Sequence, residues 1–262
     1  MEQTSQEGYT ELDFLAECAL SAEDRCNAYA FLATVYNQMP DDAFVTNILN
    51  TDMDGLLAAF DDEDQPLPDQ PRSDEPRSDE PLPDDPGAYM LEGLLLIKDY
   101  IERSRKKALE EIKIEMGRDR ARLFRGIKHG YGPPPPYESV YVGTDENPST
   151  QASLDVRQAY TDADAKVPKE VKERPDYIGI ELDFMRHLIQ KEVHAWGEGQ
   201  KVQARELLDK QHRFLRDHLA RWVPLYCEKM YQEAEYGFHR GIARLTGGFV
   251  LHELERMQDH LT

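Results

Sequence analysis

Apolar residues recur along this chain at helical spacing, and nowhere does an alternation of period two hold. A first helix is expected from Ala22 to Gln38. Cys26, Tyr29, Ala30, Ala33 and Tyr36 fall on one face, Ser21 stands as N-cap and Pro40 ends the run. Short helices are expected at 41–49 and 53–60. A long one follows from Ala88 to Met116, carried by Tyr89, Leu94, Ile97, Ile101 and Ile112, with a break near Gly117. Four consecutive prolines, Pro133 to Pro136, favour an extended polyproline conformation and make Gly126 to Thr150 a loop. Further helices are expected near Ser153–Asp162, Asp176–Trp196, Gln200–Leu215, Asp217–Gln232 and Phe238–His260. In the last, Gly247-Gly248 costs about 1 kcal/mol per glycine relative to alanine, which points to close approach of a second helix. The fold class is all-α, an irregular bundle of roughly nine to eleven helices.

Composition changes this picture at one place. Residues 61–87 hold eleven acidic side chains against Arg72 and Arg77, seven prolines and a tandem Pro-Arg-Ser-Asp-Glu. Such a segment buries too little apolar surface to offset its ordering entropy. The expected organisation is therefore a partly disordered N-terminal segment (1–20) and one helical domain (21–262) interrupted by an acidic, disordered insertion (61–87). The insertion supplies −9 of the net charge of −20. That balance argues against nucleic acid as a partner, because phosphate neutralisation needs a basic face. From Arg103 to Lys128 ten Lys and Arg stand against four acids, a stripe read as a solvated helix face paired with nearby acids.

Candidate chemistry is sparse. Cys18, Cys26 and Cys227 form no CxxC pair and read as reduced thiols. There is no basic start followed by an apolar run, and no stretch approaches the ~18 apolar residues of a membrane span, so a cytoplasmic protein without membrane insertion is expected. No phosphate loop, GxSxG or HExxH is present. Glu235 and His239, four apart, are the one pair that would serve a helical metal-binding protein or enzyme; neither an enzyme nor a cofactor is expected.

Two strings stand out. Pro135-Pro136-Tyr137-Glu138-Ser139-Val140-Tyr141 sets aromatics on a rigid proline frame suited to holding a peptide at low entropic cost. Arg174-Pro175-Asp176-Tyr177, followed by Ile178-Gly179-Ile180-Glu181-Leu182-Asp183-Phe184-Met185, places an acid and an aromatic at the start of a core helix, with Pro175 in its first turn. With Phe214-Leu215-Arg216-Asp217-His218-Leu219-Ala220-Arg221-Trp222 after them, these strings resemble, in order and spacing, the TorD/DmsD/NarJ family of molybdoenzyme maturation chaperones. The resemblance covers about residues 20–260 apart from the insertion. Where the family usually carries Glu-Pro-x-Asp-His or Pro-Pro-Asp-His, this chain reads Arg174-Pro175-Asp176-Tyr177.

The resemblance implies a cytoplasmic chaperone that binds the N-terminal leader, often a twin-arginine export signal, of a molybdopterin-containing oxidoreductase until cofactor insertion and folding are complete. Its peptide-binding surface matches Pro136 and Tyr137 in the first string and Pro175, Asp176 and Tyr177 in the second. Tyr141 and Glu181 join them on physical grounds, as stacking ring and added negative potential. Asp176 is expected to accept a charge-assisted hydrogen bond from a leader arginine. Monomer and dimer both remain open, since helices can exchange between protomers of such bundles.

Overall fold

The computed structural model of the chain describes residues 11–61, 85–125, 132–142, 151–165 and 173–261. Their regular structure is helical: α1 (Glu11–Asn37), α2 (Asp42–Leu49), α3 (Met53–Asp61), α4 (Pro86–Ser104), α5 (Leu109–Arg125), α6 (Glu138–Tyr141), α7 (Gln151–Asp162), α8 (Ile178–Gly197), α9 (Lys201–Phe214), α10 (Ala220–Glu233) and α11 (Gly237–Leu261). A π-helical turn, Leu215–Leu219, joins α9 to α10 without a loop. The all-α class read from the periodicity is the class observed. Residues 1–10 and 62–84, on which the expected frayed terminus and most of the acidic insertion fall, lie outside the described residues.

The short helix α6 stands inside the stretch Gly126 to Thr150 expected as loop, begun where Tyr137 leaves the extended proline run, and three boundaries of the longer helices differ from the pattern-based expectation for physical reasons. The first helix starts at Glu11 rather than Ala22, because Leu15, Cys18 and Ala19 continue its packing onto the core and Ser21 is passed as an ordinary helical residue. The long helix breaks at Arg105–Ala108 rather than near Gly117. No strongly apolar residue occurs between Ile101 and Leu109, so the apolar stripe lapses there, and the Lys107 amide closes a turn on the Ser104 carbonyl at 2.9 Å. At the other end, Asp85, Pro86 and Gly87 begin α4 instead of ending the insertion. Pro86 occupies the first turn, where its missing N–H is no loss, and the Asp85 carboxylate accepts from the Gly87 amide at 2.8 Å.

Two helix pairs form the frame, α1 along α8 and α4 along α11, with α10 laid on α11 and α9 on α8. Trp222, Tyr29, Tyr36, Tyr226 and Phe238 are the largest side chains sealed between them. The α4–α11 pair is drawn together by glycines. A Cβ on Gly93 would lie 2.6 Å from the Leu245 amide and 2.7 Å from the Gly241 carbonyl, and one on Gly241 would lie 2.7 Å from the Gly93 carbonyl. Gly248 meets the start of α4 in the same way, 2.7 Å from the Pro86 carbonyl, so the approach expected at Gly247-Gly248 is present. Because the obstructing atoms are backbone, Gly93→Ala has no side chain to displace and must part the helices. A loss of about 1–3 kcal/mol is expected, readable as a lower urea midpoint. An unchanged midpoint would show that the seam tolerates a methyl group.

Within the described part of the basic run, Arg103–Arg125, several cations pair with acids on the helix face. Lys107 meets Glu115 at 2.6 Å, Lys113 bridges Asp42 and Glu110, and Arg122 pairs with the buried Asp119. Arg120 turns inward and donates to the Val35 and Tyr36 carbonyls at 2.9 and 2.8 Å, which closes the C-terminus of α1.

Candidate peptide-binding site

The two unusual strings meet. The polyproline stretch cannot continue a helix, and the residue before Pro175 is biased to extended backbone. Both chains therefore arrive extended, side by side, and pair as an isolated antiparallel bridge between Tyr137 and Tyr177. The Glu138 amide donates to the Asp176 carbonyl at 2.9 Å, and the Ile178 amide to the Pro136 carbonyl at 3.1 Å. Each string thereby satisfies an otherwise orphaned amide at the other's helix start. Pro175 and Asp176 precede α8 rather than forming its first turn; Tyr177, with extended φ and ψ, is the residue at its N-cap.

Four of the seven expected site residues are buried: Pro136, Asp176, Tyr177 and Glu181. Tyr137, Tyr141 and Pro175 are half-buried at the rim. Tyr137 and Tyr177 lie with ring centroids 5.5 Å apart, and the Tyr137 hydroxyl donates to Glu173 at 2.5 Å. Tyr141 packs on Trp222 and Tyr226 and carries Lys229 over its ring at 5.5 Å. Val140, beside it on α6, is exposed. Tyr177 points inward and donates to the Tyr36 carbonyl at 2.6 Å, the same oxygen that Arg120 caps. Burial pushes its phenol up to about 12, against the lowering effect of Arg120, so it does not titrate near neutral pH.

Asp176 is not waiting unpaired at the surface, as expected of a direct acceptor for a partner's arginine. Its carboxylate already accepts from Arg174, Nε at 3.1 Å and a terminal nitrogen at 2.9 Å, and from the Ser139 amide at 3.2 Å. Arg174 also donates to Ser139 Oγ at 2.5 Å and stands over the Tyr137 ring at 5.1 Å. Nothing in the pattern of residues separates an aspartate that pairs with its own chain from one that meets a ligand.

Behind this lies a buried acidic group that the motif contained but pattern reading did not place. Glu138 is sealed at 1% exposure and meets His218 Nδ1, from the π-helical turn, at 2.9 Å. Glu181 is fully buried; Trp222 Nε1 donates to its Oε2 at 3.1 Å, and Oε1 has no partner. Burial first, and then the Glu138 and Asp176 charges, hold the Glu181 carboxyl well above the ordinary carboxylate range, outweighing the Trp222 hydrogen bond. A carboxyl raised on folding favours the native state below its unfolded pKa and loses that contribution as pH rises toward the folded value. Glu181→Gln keeps the Trp222 acceptor without the charge. It should raise the melting temperature at pH 8 and flatten the fall in stability between pH 5 and 8; parallel pH profiles for both proteins would refute the assignment. The signal for these residues was in the third string, whose His218 and Trp222 reach back to Glu138 and Glu181.

Glu235 and His239, the pair suited by spacing to a metal, lie elsewhere. His239 is 3% exposed, edge-on to Phe124 and Phe238, and faces Asp119 at 3.3 Å. Asp119 also accepts from the Glu235 and Tyr236 amides, both at 3.0 Å, ahead of α11. Burial raises the Asp119 carboxyl, but His239 and those two amides together hold it below its ordinary range. Among the described residues no group of three potential ligands gathers around a metal-sized space. Glu235 contributes its amide here, and His239 a buried ring nitrogen facing the Asp119 carboxylate.

The family model described as nitrate reductase delta subunit matches residues 89–228, a span that contains both strings, the acidic group behind them and the π-helical turn. The chain belongs to this family. It is the TorD/NarJ-type family of maturation chaperones, as curated relatives also indicate. The Chaperone protein TorD of Vibrio parahaemolyticus is 27% identical over 53% of this chain and 62% of its own length. That of Photobacterium profundum is 28% identical over 55% and 64%, and that of Aeromonas salmonicida 34% identical over 44% and 50%. The chain thus spans between half and two thirds of the length of these TorD proteins. Among its described residues, no helix is long and apolar enough to cross a membrane.

Proposed function

We propose that this chain is a cytoplasmic maturation chaperone for a molybdenum-containing oxidoreductase, and that it binds the N-terminal leader of the catalytic subunit at the junction of the two strings before export. The observation that carries this is the pairing of Pro136-Tyr137 with Pro175-Asp176-Tyr177 inside the span matched by the family. The junction offers what a twin-arginine leader needs. It has a carboxylate for a guanidinium fork, aromatic faces at Tyr137 and Tyr141 for cation and apolar segment alike, and an exposed apolar residue, Val140, alongside. A rigid, proline-framed rim holds these groups at low entropic cost to an extended peptide.

Tyr177 bears on regulation. A histidine at this position would change charge near neutral pH. The buried phenol does not, so leader release governed by titration of that residue is absent here. Calorimetric titration with the leader of a molybdoenzyme catalytic subunit tests the proposal. Saturable binding of the leader peptide, and capture of the full subunit but not of a leader-deleted one, is the expected result. Equal capture of both subunits would mean that the folded enzyme, not its leader, is what the chain recognises.

A further inference from the structure

The Arg174 contacts describe a receptor for a guanidinium, already filled. The planar fork of Arg174 meets both oxygens of Asp176, a hydroxyl on Ser139 and the face of the Tyr137 ring, four contacts that between them satisfy charge, direction and stacking. Each of these four contacts is made by the guanidinium to a group that the two strings bring together. The Asp176 side chain is 0% exposed, whereas that of Arg174 is 42% exposed. The acceptor is therefore internal and its occupant reaches solvent.

We propose that Arg174 is a built-in surrogate ligand, and that an arginine of the partner peptide binds by taking its place against Asp176, Ser139 and Tyr137. This rests on the leader-binding function proposed above and adds the exchange. A buried carboxylate left without a cation is strongly disfavoured, so the receptor does not stand empty. It passes from one guanidinium to another. Arg174 is able to leave because its own guanidinium hydrates readily at the rim. The incoming arginine remakes the same bonds, so the exchange itself is close to isoenergetic, and net affinity comes from the apolar residues that accompany the arginine onto Tyr141 and Val140. A lysine cannot remake the fork, being a point charge. The surrogate thus sets a threshold: an isolated arginine gains little, while an arginine joined to an apolar segment displaces it.

The exchange is tested with Arg174→Ala, a synthetic twin-arginine leader peptide and its twin-lysine counterpart. If Arg174 holds the receptor about nine-tenths of the time, removing it tightens twin-arginine binding about tenfold, with a smaller gain for twin-lysine. Because Arg174→Ala exposes Asp176 to a loss of its partner, thermal melts with ethylguanidinium accompany the titration. The free guanidinium should raise the melting temperature of Arg174→Ala and not that of the wild type. Twin-arginine binding by Arg174→Ala that is no tighter than wild type, or no ethylguanidinium rescue, overturns the exchange while leaving leader binding intact. A wild type and variant that both ignore the peptide overturn leader binding, and the exchange with it.

Discussion

Arg25→Met should unfold at a markedly lower urea concentration than the wild type, with a loss of about 3–5 kcal/mol, the range for stranding a buried charge. Arg25 is 7% exposed and reaches from α1 into the space between α8, α9 and α11. There one terminal nitrogen donates to both Glu192 oxygens at 2.8 and 2.7 Å, while the other donates to Gln211 at 2.8 Å and stands 3.9 Å from Glu253. Glu192 keeps donors from Trp196 and Gln211 when Arg25 is removed, but no cation. Since native domains are stable by only about 5–15 kcal/mol in total, one substitution consumes a large share. The companion experiment separates burial of charge from packing. In Arg25→Met/Glu192→Met the stranded carboxylate is gone as well, and much of the loss should be recovered. A double variant no more stable than the single would show that the network acts through shape and not through charge.

In the Arg174→Ala background, where no internal guanidinium competes for the carboxylate, Asp176→Asn should weaken twin-arginine leader binding at least about tenfold, the equivalent of losing a charge-assisted hydrogen bond worth about 1.5–3 kcal/mol. Asparagine preserves the shape of the side chain and an oxygen for the Ser139 amide, but not the charge that draws a guanidinium. Arg174→Ala is the reference for both affinity and stability, so the carboxylate charge is what differs between the two proteins. Calorimetry on the variant, with a circular dichroism melt to confirm the fold, reads the outcome. Affinity equal to that of Arg174→Ala in a folded Arg174→Ala/Asp176→Asn protein would remove Asp176 from the site.

What could be read from the chain, and what could not, divides along the range of the interactions. Helices declare themselves through local periodicity, so α8 and α11 are visible in the recurrence of residues such as Ile178, Leu182, Met185 and Ile189. The glycine approach at Gly247-Gly248 is visible because two glycines inside a helix cost stability unless something comes close. Its counterpart at Gly93 and Gly241 leaves no such mark, since single glycines are ordinary. Tyr137 and Tyr177 were paired by their motifs. The burial of Glu138 and Glu181 was not visible, because a glutamate in the first turn of a helix is usually a solvated partner of the helix dipole. Only His218 and Trp222, 80 and 41 residues away in the chain, make them internal. The occupation of Asp176 by Arg174 is hidden for the opposite reason. The two residues are so close in sequence that their pairing leaves no periodic trace.

The π-helical turn at Leu215–Leu219 sets the angular phase of everything after it. Its closing bond runs from the Ala220 amide back five residues to the Leu215 carbonyl, so this turn holds one residue more than its neighbours. At 3.6 residues per turn, each residue advances a helix by about 100°. Deleting one residue here would leave α9 and α10 continuous and equally helical, yet would turn α10 by about that angle about its own axis. Trp222 would rotate away from Glu181 and Tyr226 away from Tyr36, and His218 would leave Glu138. The chain would keep its helix content and lose the orientation of the floor beneath the paired loops. A single codon in this turn therefore works as a rotational setting for the site, one that no count of hydrophobic positions in α10 would reveal.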